Sequence, residues 1–327
     1  MTTLSLNIKT DVSSLSHIPD DKLIRRFKIQ NKGKLRDVND PIPELKAVLK
    51  EWNGVITAYY VEQLNAHGIQ DVAHAYLPDR SIKTNALSHT GSQIAQFDFK
   101  GFYDSCKFEY FESHLSVLDP SLSEQDRQSV KRLLIDPNTG GVTQGLPVSG
   151  ALAGLTLIPF WCELKRALDG TNIRFTQYSD DLTFSYTGVR TPDRFTIKEL
   201  TQTINDALKT TGLNFTLHPD KTRMQHSQFR KVTGVRINHQ NLTTPAQKDV
   251  RFLKHALHIL SKSNNLDNEL KRWGFESKES FVGKVSYMRS IDSTGKINKI
   301  IMKYRQACIK HNLFTTWIDA QMKISPF

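Results

Sequence analysis

TQYSDDLTFS, residues 176–185, sets two aspartates side by side between short runs rich in Tyr, Leu, Phe and Thr. The pair Asp180–Asp181 falls between two strand-like arms, so residues 173–186 read as a β-hairpin with the acidic pair at its turn. Adjacent carboxylates repel each other, and most such pairs are solvated turn residues. This one has an apolar strand on both sides and an aromatic just ahead of it. A third aspartate sits in a comparable setting: SQIAQFDF, residues 92–99, is a buried-strand pattern with Asp98 where the strand ends. If those strands are neighbours, Asp98 and Asp180 converge. Hard oxygen donors brought together suit Mg²⁺, which keeps several waters and takes one or two carboxylates plus substrate phosphates. Two such ions roughly 3.5–4 Å apart would activate an attacking hydroxyl and stabilise the leaving oxygen of a phosphoryl transfer.

Outward from this centre the chain alternates helix and strand patterns with no internal repeat and no long linker. Residues 1–24 read as a partly helical lead-in, and FKIQNKGKLRDVND, residues 27–40, as a basic hairpin. From 41 to 66 the apolar residues Leu45, Val48, Leu49, Trp52, Ile56 and Tyr60 recur at helical spacing. Residues 107–134 read as helical with a break near Pro120, 151–168 as a strongly apolar helix and 197–210 as an amphipathic one. A strand is expected at 213–217, two more within 228–238, and helices from 245 onward. The result is an α+β core with a small N-terminal lobe and a helical C-terminal lobe.

Composition narrows the partners. Lys and Arg number 44 against 33 Asp and Glu in 327 residues, a net +11 that suits a polyanion such as nucleic acid or an acidic membrane. Cys106, Cys162 and Cys308 are far apart and show no CxxC spacing, which argues against a zinc site or disulfide framework and fits a reducing cytoplasm. MTTLSLNIKTDV lacks the features of a secretory signal. The most apolar segment, 146–164, is interrupted by Ser149, Gly150, Thr156, Pro159 and Glu163, too often for a membrane span. A cytoplasmic protein without a membrane partner is expected.

Four segments carry a resemblance. YSDD, residues 178–181, looks like the Tyr-x-Asp-Asp signature of reverse transcriptases, and FDFKGFY, 97–103, resembles their first catalytic motif. GGVTQGLPVSGAL, 140–152, is similar to their Gln-Gly-x-Pro-x-Ser segment, and LHPDKTR, 217–223, to the lysine-bearing motif that follows. All four stand in the family's order, within a resemblance running from about residue 27 to 238. Asn-Ala-x-x-His at 85–89 and VTG at 232–234 resemble marks of the bacterial retron group. The resemblance implies a right-hand polymerase. Fingers would span 1–95 and again about 110–150, within a palm of 96–240 built on an antiparallel sheet, and a helical thumb would occupy 241–327.

It also implies roles. Asp98 and Asp180 would be the principal ligands of two Mg²⁺ ions, or of Mn²⁺ in their place, with the Phe99 carbonyl as a further ligand and Asp181 adding charge and a contact to the metal at the primer end. Tyr103 would lie under the sugar of the incoming nucleotide and select against a 2′-OH; its plainer reading is a core tyrosine. Gly101 stands where the family more often has an acidic residue, and Ser179 where it often has alanine or methionine. Gln144 and Gly145 would meet nucleotide and template, or be loop residues ahead of a helix. Lys34 and Arg36 would pair with the triphosphate, the alternative being a solvated basic face. Lys221 would be a general acid for the leaving pyrophosphate or an anion contact. Asn85 and His89 would read a structured RNA or buttress the fold. Lys248, Arg251, Lys254, Arg272, Lys284 and Arg289 would track phosphates of an RNA.

The activity implied is RNA-directed DNA synthesis from dNTPs. The template would be a cognate non-coding RNA, primed from one of its own 2′-hydroxyls to give a joined RNA–DNA product. A separate effector protein would complete an anti-phage defence system, because no effector domain is legible in the sequence. Two alternatives stand beside this. One is another bacterial reverse transcriptase of group II intron or abortive-infection type, the intron type being disfavoured by the lack of a maturase or endonuclease segment. The other is an RNA-binding scaffold without activity, which the intact aspartates disfavour.

Overall fold

The computed structural model describes residues 4–31, 33–91, 93–188, 195–225 and 230–324, the side chains of Asp20, Asn31, Lys34, Arg36, Lys323 and Ile324 excepted. Its contacts divide the chain into two units, residues 1–81 with 91–226, and residues 82–90 with 227–327.

In the first unit the β-rich arms of the basic hairpin form a two-stranded ribbon, β1 (Ile24–Asn31) and β2 (Lys34–Pro41), paired from Ile24↔Pro41 to Asn31↔Lys34. The helix Pro43–Ala66 follows, started by a proline that has no N–H to leave unpaired. Its stripe of Leu45, Leu49, Trp52, Ile56 and Tyr60 is buried, and the helix packs against the apolar helix Ser149–Ala167.

The site is positioned by an antiparallel sheet. β3 (Gln93–Lys100) is buried from Ile94 to Phe99, the burial expected of a strand covered on both faces. β4 (Ile173–Tyr178) and β5 (Asp181–Tyr186) form the hairpin, and β5 pairs with β3. The other edge of β3 is shared by two short strands, β6 (Thr216–Leu217) beside Phe99 and Lys100, and β7 (Arg223–Gln225) beside Ile94–Gln96. Phe97 and Phe184 pack edge to face, as do Phe99 and Phe160, joining sheet to helix.

The expected strand at 213–217 contracts to Thr216–Leu217. The helix Ile197–Thr211 ends at Gly212, and the Leu213 N–H returns to the Leu208 carbonyl, so Leu213 closes the helix instead of opening a strand. The segment 107–134 is a short 3₁₀ turn and two helices, Glu112–Leu118 and Glu124–Leu134, the second started by a capping box of Ser123 and Asp126.

The second unit holds β8 (Arg230–Val232), β9 (Val235–Ile237) and β10 (Thr243–Thr244) in the order β10-β9-β8. Of the strand region expected at 228–238, residues 228 and 229 lie outside the described residues. A short helix, Ile82–Leu87, packs on β8 and β9, and this is why 82–90 groups here and not with the residues before it. The remaining helices run from Gln247–Lys262 to Thr315–Ile324. They close on a core that includes Leu253, Leu257, Leu260, Phe281, Val285, Ile297 and Ile301. Among the described residues no helix is long and apolar enough to cross a membrane.

Candidate active site

The ladder between β3 and β5 puts Asp98 directly opposite Asp181. One residue earlier, the Asp180 carbonyl accepts the Phe99 N–H at 3.0 Å. Asp98 and the adjacent pair Asp180–Asp181, more than eighty residues apart in the sequence, therefore meet at one end of the sheet. The turn between β4 and β5 is tight, with Ser179 at φ +56°. A non-glycine residue there costs roughly 1–3 kcal/mol and is kept only where its surroundings enforce it. Here the enforcement is visible. Buried Gln177 donates to the Ser179 carbonyl at 2.8 Å, and Trp161 donates its indole N–H to Gln177 at 2.7 Å, which fixes the amide. From the other side Tyr76 donates its hydroxyl to Ser179 Oγ at 3.0 Å.

The charges are concentrated and only partly neutralised. Burial, and after it Asp98, raise the proton affinity of Asp180 above the usual carboxylate value. Burial first, then Asp180 and Asp98, push Asp181 up to about 6. Lys221 donates to both oxygens of Asp98, at 2.7 and 2.8 Å, and that contact raises its own pKa. Among the described residues no three His, Cys, Asp or Glu side chains form a ready-made metal cluster. Mg²⁺ does not need one, since one or two carboxylates with substrate phosphates and water complete its shell. The donor set of Asp98 and Asp180, all oxygen and short of positive charge, fits that chemistry.

The charge gives a stability test. Folding raises the affinity of Asp181 for its proton from the ordinary 3.8 to about 6. The folded state then binds more protons than the unfolded chain between these values. Stability accordingly falls as pH rises through that window and stays reduced above it. Discounted for partial exposure, the penalty is about 1 kcal/mol, or roughly 2–4 °C of melting temperature. Asp181→Asn in EDTA is expected to melt higher than the parent by that amount at about pH 7.5, with the gap closing near pH 4. An equal gap at both pH values would assign the effect to something other than charge.

A cavity of about 590 Å³ opens beside the aspartates, lined by Asp98, Asp180, Lys221, Tyr76, Tyr103 and Gln144 among others. Phe99 also lines it. Gly145 faces it at φ +98°, where a Cβ would stand 3.2 Å from the Asn39 carbonyl, so both conformation and space favour glycine. The Asn39 side chain donates to the Gln144 carbonyl at 2.9 Å and ties this loop to β2. Lys34 and Arg36 lie on β2, with side chains outside the described residues.

The second unit changes the reading of several residues. Asn85 and His89 are both fully buried, and Asn85 donates to Thr233 at 2.7 Å. Of the two readings of these residues, contact with RNA or support of the fold, their burial favours the second. Arg289 sits over the Trp317 ring, its Cζ 4.1 Å from the ring centre, and bonds Asn298, while Lys284 sits over Phe252 and pairs with Asp249 at 3.3 Å. Arg272 pairs loosely with Glu269 at 3.5 Å. Lys248, Arg251 and Lys254 are exposed on the helix Gln247–Lys262.

Sequence reasoning missed Tyr76, Gln177 and Trp161. Gln177 left a trace, a polar residue in the middle of a buried hairpin arm. Tyr76 left none, because HAYLPDRS reads as an ordinary loop. It reaches the site because Ala73 bridges to Gln177 and residues 72–74 exchange backbone hydrogen bonds with β4.

The fold is that of the right-hand polymerases. A telomerase from Candida albicans, solved with a fragment of telomeric RNA, superposes with a TM-score of 0.50 over 92% of this chain and 58% of that one, at 13% identity. Within that class the chain is similar to bacterial retron reverse transcriptases. It is 28% identical over 285 residues to the retron Mx162 reverse transcriptase of Myxococcus xanthus, covering 80% of this chain and 56% of the relative. The retron Mx65 reverse transcriptase of the same organism is 29% identical over 228 residues, covering 63% and 49%. The retron Ec73 reverse transcriptase of Escherichia coli is 24% identical over 280 residues, covering 80% and 81%. The chain thus spans about half the length of the two Myxococcus relatives. No family model matches the sequence.

Proposed function

We propose that this chain is an RNA-directed DNA polymerase of the retron type. The observation that carries the reading is the pairing of Asp98 with Asp181 beside Asp180, at the edge of a cavity that also holds Tyr103 and Gly145. Asp98 and Asp180 would hold Mg²⁺, with Asp181 and the Phe99 carbonyl beside them. When bound, the ions would lower the pKa of the attacking hydroxyl and neutralise charge on the departing pyrophosphate. The protein's own groups do the rest. Tyr103 forms the floor under the sugar. Gly145 lets the backbone approach the base pair, with Gln144 beside it. Lys34 and Arg36 on the ribbon grip the triphosphate, Arg as a fork and Lys as a point charge. Lys221 stands where charge leaves with the pyrophosphate.

In this reading β3–β7 belong to the palm, β1–β2 to the fingers and the helices after about residue 241 to the thumb, whose exposed Lys248, Arg251 and Lys254 follow an RNA backbone. The resemblance to retrons supplies the remaining parts of the proposal. These are a cognate structured RNA as template, priming from its 2′-OH, cytoplasmic action, and a separate effector in anti-phage defence.

Purified protein given an RNA template, a DNA primer, dNTPs and Mg²⁺ is expected to extend the primer. RNA binding without extension would favour the scaffold alternative. Sequencing of copurifying nucleic acid is expected to recover joined RNA–DNA molecules; random cellular RNA alone would favour another reverse transcriptase type. Tyr103→Val is expected to relax discrimination against ribonucleotides by about 10-fold or more, in line with loss of a steric contact worth at least ~1.4 kcal/mol. Unchanged selectivity would return Tyr103 to a packing role.

A further inference from the structure

Tyr76 is half exposed and lines the same cavity as the aspartates. Its backbone is left-handed at φ +60°, a conformation in which a bulky side chain is an outlier. Its ring rests on Gly150, where a Cβ would stand 2.2 Å from a ring carbon, so only glycine at 150 leaves room for the ring to lie there. Two hydrogen bonds meet at the Tyr76 oxygen: it accepts from the Tyr103 hydroxyl at 2.6 Å and donates to Ser179 Oγ at 3.0 Å. Ser179 immediately precedes Asp180 and is itself at φ +56°.

We infer that Tyr76 is a positioning residue that locks the sugar-selecting ring of Tyr103 and couples it to the turn carrying Asp180. The assignment rests on the polymerase reading and deepens it. A ring excludes a 2′-OH only if it cannot tilt away, because the group to be rejected is a single oxygen atom. Packing within the protein holds the near end of the Tyr103 ring, against Phe102. Its far end is held by the bond to Tyr76. That anchor is also bonded to the aspartate turn, so a ribonucleotide that displaces Tyr103 disturbs Asp180 as well. Selection against the wrong sugar then appears both in binding and in the chemical step.

The test is steady-state primer extension with a deoxynucleoside triphosphate and its ribonucleoside counterpart, comparing wild type, Tyr76→Phe, Tyr103→Phe and the double variant. Tyr76→Phe keeps the ring on Gly150 and removes both hydrogen bonds. The ratio of kcat/KM for deoxynucleotide over ribonucleotide is expected to fall about 10-fold, with part of the change in the ribonucleotide kcat. Tyr103→Phe breaks the first of these bonds and spares the one to Ser179, so its loss of selectivity should be no greater, and the double variant should fall no further than Tyr76→Phe alone. A merely structural Tyr76 would lower both substrates equally and leave the ratio fixed; that result, or additive losses in the double variant, overturns the assignment. Wild type that extends with dNTPs while Tyr76→Phe keeps full selectivity rejects only this inference. Wild type that extends nothing rejects the polymerase reading and this inference together.

Discussion

Asp180→Asn is expected to lower RNA-templated primer extension about 10³-fold while leaving the protein folded. The substitution keeps the shape of the side chain and removes its charge. Burial already makes that charge costly, and Asp98 and Asp181 make it costlier, so the ion-free fold does not depend on it. In the proposed reading, what depends on it is the transition state, where a divalent cation held by a carboxylate would supply several kcal/mol of charge stabilisation. A loss of roughly 4 kcal/mol corresponds to about a thousandfold in rate. The variant should melt no lower than the parent in EDTA, and Mg²⁺ should stabilise it less than it stabilises the parent. Extension that survives the substitution at near-parental rate would remove the hairpin from the chemistry. Loss of activity accompanied by loss of the folded state would instead mark Asp180 as part of the scaffold.

The sheet around this residue was largely legible in the sequence, because its strands are short runs buried along most of their length. Gln93–Lys100, Ile173–Tyr178 and Asp181–Tyr186 bury as strands covered on both faces do, and the acidic residues interrupt them only at the end where the chain turns. The apolar helix Ser149–Ala167 could be read because almost nothing along it is polar enough to face water. Four things were not legible. β7 and β10 are short strands, whose positions are set by the strand beside them and not by any pattern of their own. Residues 82–90 join the second unit through packing on β8 and β9, a contact that no local signal announces. Asn85 and His89 are polar, and polarity alone suggests a surface; both are buried, and Asn85 is satisfied by Thr233 across a long stretch of chain. Tyr76 belongs with these. The residues that carry the charge were found by chemistry, whereas those that hold it in place are brought in by the tertiary fold.

Lys221→Ala is expected to produce two changes of opposite sign. The ammonium donates to both oxygens of Asp98, and its side chain remains 53% exposed on the cavity side. The contact with Asp98 raises its pKa, so it stays charged across the working range. A positive group in this position competes with a cation for Asp98 and, in the proposed reading, would face the departing pyrophosphate when substrate is bound. Removing it should therefore let the ion-free protein bind Mn²⁺ several-fold more tightly, as followed by calorimetric titration without nucleotide. It should also slow catalysis, because a positioned proton donor contributes about 10²–10⁴-fold. A fall in kcat of about 10²-fold with little change in the KM for dNTP would mark an interaction made mainly in the transition state. Lys221→Arg keeps the charge but holds its proton too firmly to give it away. Recovery of the rate by arginine would assign Lys221 to charge stabilisation, and failure to recover it would assign proton donation. A rise in KM alone would reduce the residue to an anion contact. An unchanged Mn²⁺ affinity would show that its bond to Asp98 does not hold that carboxylate closed.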